Sequence, residues 1–283
     1  ATTSATVASN TANAPNAVGN WSTTPSSTID LSALPNGNYT ARTTVTDGAG
    51  NTATDSQAFS INKTPPVFIT TAVAGDNFIN AAEATATLAP SIAGVVSNAE
   101  DGRLVNVTLP GVGSLQQRTL TAQVLGGAWS LPIPTDLLAG YAAANGPYTA
   151  NLSLTNLAGN TGTATRAFTV DTAAPVLAID PVSSLVWGAS AVDPDTYPLT
   201  LTGTVQGLDT NLPVTLVLNG TSFTAVRSNS NSTLWSAAVP RAVLLALRPS
   251  GNTLQASTTD LAGNPFSLNT TFDAIGPDAV PPQ

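Results

Sequence analysis

The stretch TNLAGNTGTATRAFTVD, Thr155 to Asp171, decides the fold because it occurs three times in variant form. Its counterparts are TDGAGNTATDSQAFSIN at Thr46 to Asn62 and TDLAGNPFSLNTTFD at Thr259 to Asp273. Each copy centres on Ala-Gly-Asn, ending at Asn51, Asn160 and Asn264, so the centres lie 109 and 104 residues apart. A period of about 100 residues is that of one β-sandwich domain, and internal repetition is the first signal to weigh in such a chain.

Other landmarks keep the same register. Trp21, Trp129 and Trp235 precede the centres by 30, 31 and 29 residues, and Pro66, Pro175 and Pro277 each lie four residues beyond the closing Asn or Asp. The approach to the centre alternates with period 2, as in YTARTTVT from Tyr39 and YTANLSLT from Tyr148. That alternation marks half-buried antiparallel strands, and β-branched Thr and Val fit a pleated surface. Gly and Asn tolerate left-handed backbone angles, so Ala-Gly-Asn is expected to be the hairpin loop joining the last two strands of each unit. This role explains the tripeptide without any ligand. Helix is expected only at Pro134 to Ala144 and Pro240 to Leu247, as single turns at the sandwich edge, because neither carries a long apolar stripe.

These landmarks divide the chain into a partial unit at 1–62, a full unit at 63–171, a divergent full unit at 172–273 and a linker at 274–283 toward a following unit. The connections Lys63-Thr64-Pro65-Pro66 and Thr172-Ala173-Ala174-Pro175 are short and proline-containing, which predicts an extended array with little bending. Only 20 residues precede Trp21, whereas 62 separate Pro66 from Trp129. The first unit is therefore expected to be the second half of a sandwich, completed either by a preceding part of a longer polypeptide or by a strand from a neighbouring chain.

Composition excludes most chemistry. The chain of 283 residues has no Cys, Met or His, and charged residues make up 8% of it. The usual general base, zinc ligands and haem ligands are missing, so an enzyme is not expected. A net charge of -8 and scattered basic residues give no footprint for nucleic acid. The apolar fraction of 42% suffices for packed cores, and no apolar run approaches the roughly 18 residues that span a bilayer. No basic-then-apolar leader begins at Ala1, so a soluble piece of a longer protein is expected.

The second unit carries, in order, Gly75-Asp76-Asn77-Phe78-Ile79-Asn80-Ala81-Ala82-Glu83, Trp129-Ser130, Gly146-Pro147-Tyr148-Thr149-Ala150, the Ala-Gly-Asn hairpin and Asp171-Thr172-Ala173-Ala174-Pro175. This order resembles the bacterial immunoglobulin-like repeats of giant, type I secreted, biofilm-associated adhesins. The resemblance spans Lys63 to Asp171 and the second half of the first unit. The third unit keeps the Trp, the hairpin and the linker proline, lacks the Gly-Asp-Asn block, and expands the turn before Trp235 at Asn229 to Thr233. The resemblance implies an all-β tandem of immunoglobulin-like sandwiches at the bacterial cell surface, serving as an adhesin stalk in adhesion and biofilm cohesion.

Several candidate sites are weaker than their structural readings. Calcium needs six to eight oxygens with several carboxylates. The best clusters are Asp171 with Asp193 and Asp195, and Asp76 with Glu83, but no Asp-x-Asp-x-Asp run supports them. Adjacent Glu100 and Asp101 should point apart, and Asn98 to Gly102 reads as a hairpin turn rather than a glycosidase pair. Gly111-Val112-Gly113 reads as a turn, without the context of a nucleotide loop. Lys63, the sole lysine, allows an isopeptide crosslink in one unit at most. Trp21, Trp129 and Trp235 read as core anchors rather than sugar platforms. Asn-x-Ser/Thr triplets such as Asn38-Tyr39-Thr40 follow from an Asn- and Thr-rich composition. No catalytic, cofactor or metal residue is therefore assigned, and the expected partners are neighbouring units of the same or adjacent chains. The rival readings are a filament subunit completed in trans by neighbouring strands, and a carbohydrate-binding module, which an aromatic content of 5% disfavours.

Overall fold

The computed structural model describes residues 31–46, 49–182, 199–209, 211–228 and 233–274. Trp21, Asp193 and Asp195 lie outside the described residues. In the first unit, a 3₁₀ turn at Leu31–Ala33 precedes two antiparallel strands, β1 (Gly37–Thr46) and β2 (Thr52–Ile61), paired from Gly37 with Ile61 to Thr46 with Thr52. Tyr39 stacks on Phe59 across this pair, with ring centroids 5.7 Å apart.

The second unit contains β3 (Val67–Thr70), β4 (Phe78–Ile79), α1 (Ala81–Ala84), β5 (Ser91–Ser97), β6 (Leu104–Leu109), β7 (Arg118–Gln123), β8 (Ala128–Pro132), α2 (Thr135–Ala144), β9 (Gly146–Thr155) and β10 (Thr161–Val170). They form a five-stranded sheet ordered β4-β10-β9-β6-β7 and a three-stranded sheet ordered β3-β5-β8. The first strand is thus split between the sheets: β3 joins the smaller one antiparallel to β5, and β4 runs parallel to β10. This is an immunoglobulin-like sandwich. Alternation does the sorting: Val105, Val107 and Leu109 of β6 and Ala150, Leu152 and Leu154 of β9 point inward, opposite Ile92, Val96 and Trp129 of the smaller sheet.

The third unit contains β11 (Val176–Ile179), β12 (Thr200–Gln206), β13 (Val214–Leu218), β14 (Thr221–Arg227), β15 (Leu234–Ala238), α3 (Arg241–Leu245), β16 (Asn252–Thr259) and β17 (Pro265–Phe272). Here β14 pairs with β13 over Thr221–Ala225 and with β15 at Val226 and Arg227, linking the layers into one continuous order, β11-β12-β15-β14-β13-β16-β17. Its core, from Leu177 to Ala256, is separate from that of the second unit, which runs from Val73 to Val170. The chain is all-β, with immunoglobulin-like units in tandem.

Two expectations are corrected. Helix α2 is ten residues long, not a single turn, and buries Leu137, Leu138 and Tyr141 against the core. The five-residue α3 likewise buries Val243 and Leu244. Each helix contributes two or three inward side chains to the core of its unit, so no long stripe is needed. Asn98 to Gly102 is not a hairpin turn either, because the flanking β5 and β6 belong to different sheets. Positive φ at Asn98 and Gly102 turns the chain from one layer to the other.

Candidate functional site

The three hairpins share one register. The loops between β1 and β2, β9 and β10, and β16 and β17 are flanked by the pairs Thr46–Thr52, Thr155–Thr161 and Thr259–Pro265. The loop glycines Gly50, Gly159 and Gly263 have φ near 90°, a backbone that an L side chain resists. The loop-opening Asx and the closing Asn bond each other. In the second unit, Asn156 N donates to Asn160 O (3.0 Å) and Asn160 N to Asn156 Oδ1 (3.0 Å). In the third, Asp260 N donates to Asn264 O (3.2 Å), and Asn264 N and Nδ2 donate to the Asp260 carboxylate at 2.8 and 2.9 Å.

The closing Asn also leaves its own unit. Asn160 Nδ2 donates to the carbonyl of Asn62, 2.8 Å away, and Asn264 Nδ2 donates to the carbonyl of Asp171, also at 2.8 Å. Asn62 and Asp171 are the equivalent closing residues of the preceding units. Asn264 Oδ1 further accepts from Ala81 N at 2.8 Å. Asn156 Nδ2 reaches the carbonyls of Thr64 and Asn98, both at 3.1 Å. Asn264 is 2% exposed and Asp260 is 6% exposed, so these groups are satisfied inside a contact between units. From the sequence alone the loop reads only as a hairpin. Its bonds to the preceding unit span 98 and 93 residues, and the available signal was the recurrence of the same Asx pair before the same closing position.

The remaining candidates serve the backbone. Glu83 Oε2 accepts from Asn80 N while Asn80 Oδ1 accepts from Glu83 N, a capping box on α1 that the sequence reading missed. Asp76 Oδ1 accepts from Phe78 N, and Asp171 Oδ1 from Ala173 N. Among the described residues, no three acids are grouped to hold a metal ion. Glu100 and Asp101 do point apart: Glu100 accepts from Leu157 N in the hairpin loop, and Asp101 from Gly127 N. Val112 pairs with Leu115 in a tight turn, so Gly111 to Gly113 is a turn as read. The Lys63 ammonium donates to the carbonyls of Ser32 and Leu34, and its main-chain N–H donates to Asn36 Oδ1 at 2.8 Å. Trp129 and Trp235 are 4% and 1% exposed, which makes them core anchors and unavailable to a sugar. Arg118 and Asp136 form an exposed ion pair, which holds the carboxyl below its ordinary range.

Residues 2–63 match the family model of the bacterial Ig-like domain. None of the curated proteins compared with the chain matches it. Solved structures similar to it include a 1.5-MDa bacterial ice-binding adhesin, at 23% identity over 87% of this chain and 76% of that one, with a TM-score of 0.43. A Ca²⁺-stabilised adhesin that helps an Antarctic bacterium reach out and bind ice is 23% identical over 85% of this chain and 57% of that one, with a TM-score of 0.41. A tetra-tandem repeat from the extending region of a large adhesion protein is 21% identical over 87% of this chain and 58% of that one, with a TM-score of 0.34. The chain thus spans under two thirds of the latter two. No helix among the described residues is long and apolar enough to cross a membrane.

Proposed function

We propose that the chain is a structural stalk segment of an extracellular bacterial adhesin at the cell surface, supporting cell adhesion and biofilm cohesion. One observation carries this reading: two sandwiches, each with its own core, follow one another with only Asp171 to Pro175 between the last strand of one and the first strand of the next. Such an array is quasi-one-dimensional, each unit holding itself together and contacting its neighbours. Its work is mechanical, to project a binding region and bear load, and no catalytic step is assigned to it. The match of the first unit to a bacterial Ig-like domain supports the same reading. The units are read as 1–62, 63–171 and 172–273, with 274–283 leading to a further unit, and the partners as neighbouring units.

Pulling the whole chain by its ends tests this. The second and third units should break in separate force peaks, each releasing about 100 residues, or roughly 330–360 Å of contour. A single event releasing both together, or featureless extension without peaks, would overturn the reading.

A further inference from the structure

We propose that the hairpin loop is a docking surface whose partner is the carboxy-terminal end of the preceding unit, and that its closing Asn sets the angle between the two. This deepens the stalk reading and rests on the tandem arrangement it describes. A hairpin needs glycine at its left-handed position, and Gly159 and Gly263 supply it. Nothing about closing a hairpin requires a carboxamide to bond a residue more than ninety positions earlier, yet Asn160 and Asn264 both do so, at equivalent carbonyls. Repetition at two junctions of different sequence separates this contact from an accident of packing.

The side-chain chemistry fits the task. A carboxamide presents donor and acceptor in one plane, so bonding both ends to the preceding unit fixes orientation as well as distance. Asn264 does this, donating to Asp171 O and accepting from Ala81 N. Its own unit locks it in that pose, because the buried Asp260 carboxylate takes both its main-chain and its second side-chain N–H. Asp in its place would lose the donors, and Ala would lose the contact.

The connecting peptide is pinned from the other side. Thr172 N donates to Asn145 Oδ1 (3.1 Å), Thr172 Oγ1 to Ala142 O (3.0 Å), and Ala173 N to Asp171 Oδ1 (3.0 Å). Only Ala174 and Pro175 remain before β11, and proline restricts its own φ. The Asn bonds then remove the freedom that is left. By the same register Asn51 holds this position in the first unit. Every bond named at this junction runs between two protein groups.

The chain has no Cys, so Thr121→Cys with Asn269→Cys, at exposed positions on β7 and β17, provides one spin-label pair across the junction. The parent chain should give a single narrow distance distribution, unchanged by EGTA. Asn264→Ala should at least double its width while the far-ultraviolet circular dichroism stays that of a β protein. Ala81→Pro replaces the N–H that Asn264 Oδ1 accepts with a ring methylene, at the first position of α1 where proline is tolerated, and it changes no residue of the third unit. It should also widen the distribution, and it decides the matter if Asn264→Ala unfolds the third unit. A width unchanged in Ala81→Pro and in folded Asn264→Ala would overturn the proposal. So would a parent distribution that is broad, or narrow only until EGTA is added, because a cation would then hold the junction. In the first two of these cases an elongated particle would still leave the stalk reading standing.

Discussion

Trp129 and Trp235 each pair across the ladder with a glycine, Gly94 and Gly203. A Cβ on Gly203 would come within 2.3 Å of the Trp235 ring and 2.0 Å of Ala178 O, so the glycine makes the space that the indole fills. Trp129→Ala or Trp235→Ala should each cost about 3–5 kcal/mol in chemical denaturation of the unit concerned. The two differ in one bond: Trp235 Nε1 donates to Thr204 O at 3.1 Å, whereas buried Trp129 Nε1 has no partner among the described residues. Trp235→Phe should therefore be the costlier conservative change, by about 1 kcal/mol. Burial pushes the Tyr141 phenol up to about 12, with the neighbouring Tyr148 adding and Arg118 opposing. Its contribution is complete below pH 10 and is lost on the way to pH 12, so the second unit's melting temperature should fall across that window and fall less in Tyr141→Phe. The tryptophan anchors were legible because one Trp per repeat keeps register. The glycines opposite them were not, since nothing local says which strands will pair.

At the scale of elements, the hairpins were readable from end to end, because period-2 alternation and a left-handed loop are both local. What lay between layers was not. Asn98 to Gly102 has the chemistry of a turn in any setting, and only the packing decides that β5 and β6 part there. Helix α2 escaped for a related reason: Leu137, Leu138 and Tyr141 are buried against strands of the core that only the assembled sandwich brings to them. The connection into the second unit shows the same closeness. A Cβ on Gly162 of β10 would stand 2.0 Å from Pro66 O, so the incoming peptide lies directly against that strand. Gly162→Ala should destabilise the second unit by about 1–3 kcal/mol in denaturant titration, as overpacking does. A neutral result would mean that the linker is not seated on β10.

For the whole molecule, what matters is whether successive units hold a line. The prolines after each closing residue point to that arrangement, but the bonds between units, from Asn160 and Asn264, join residues of different repeats and have no local signature. Small-angle scattering of the intact 283-residue chain tests the arrangement most directly. A compact globule of this length would have a radius of gyration of about 19 Å. Units in line should give a value well above that, an asymmetric pair-distance function with a long tail, and the same curve in EGTA. A radius near the globular value, with a symmetric pair-distance function, would contradict a stalk built from these sandwiches.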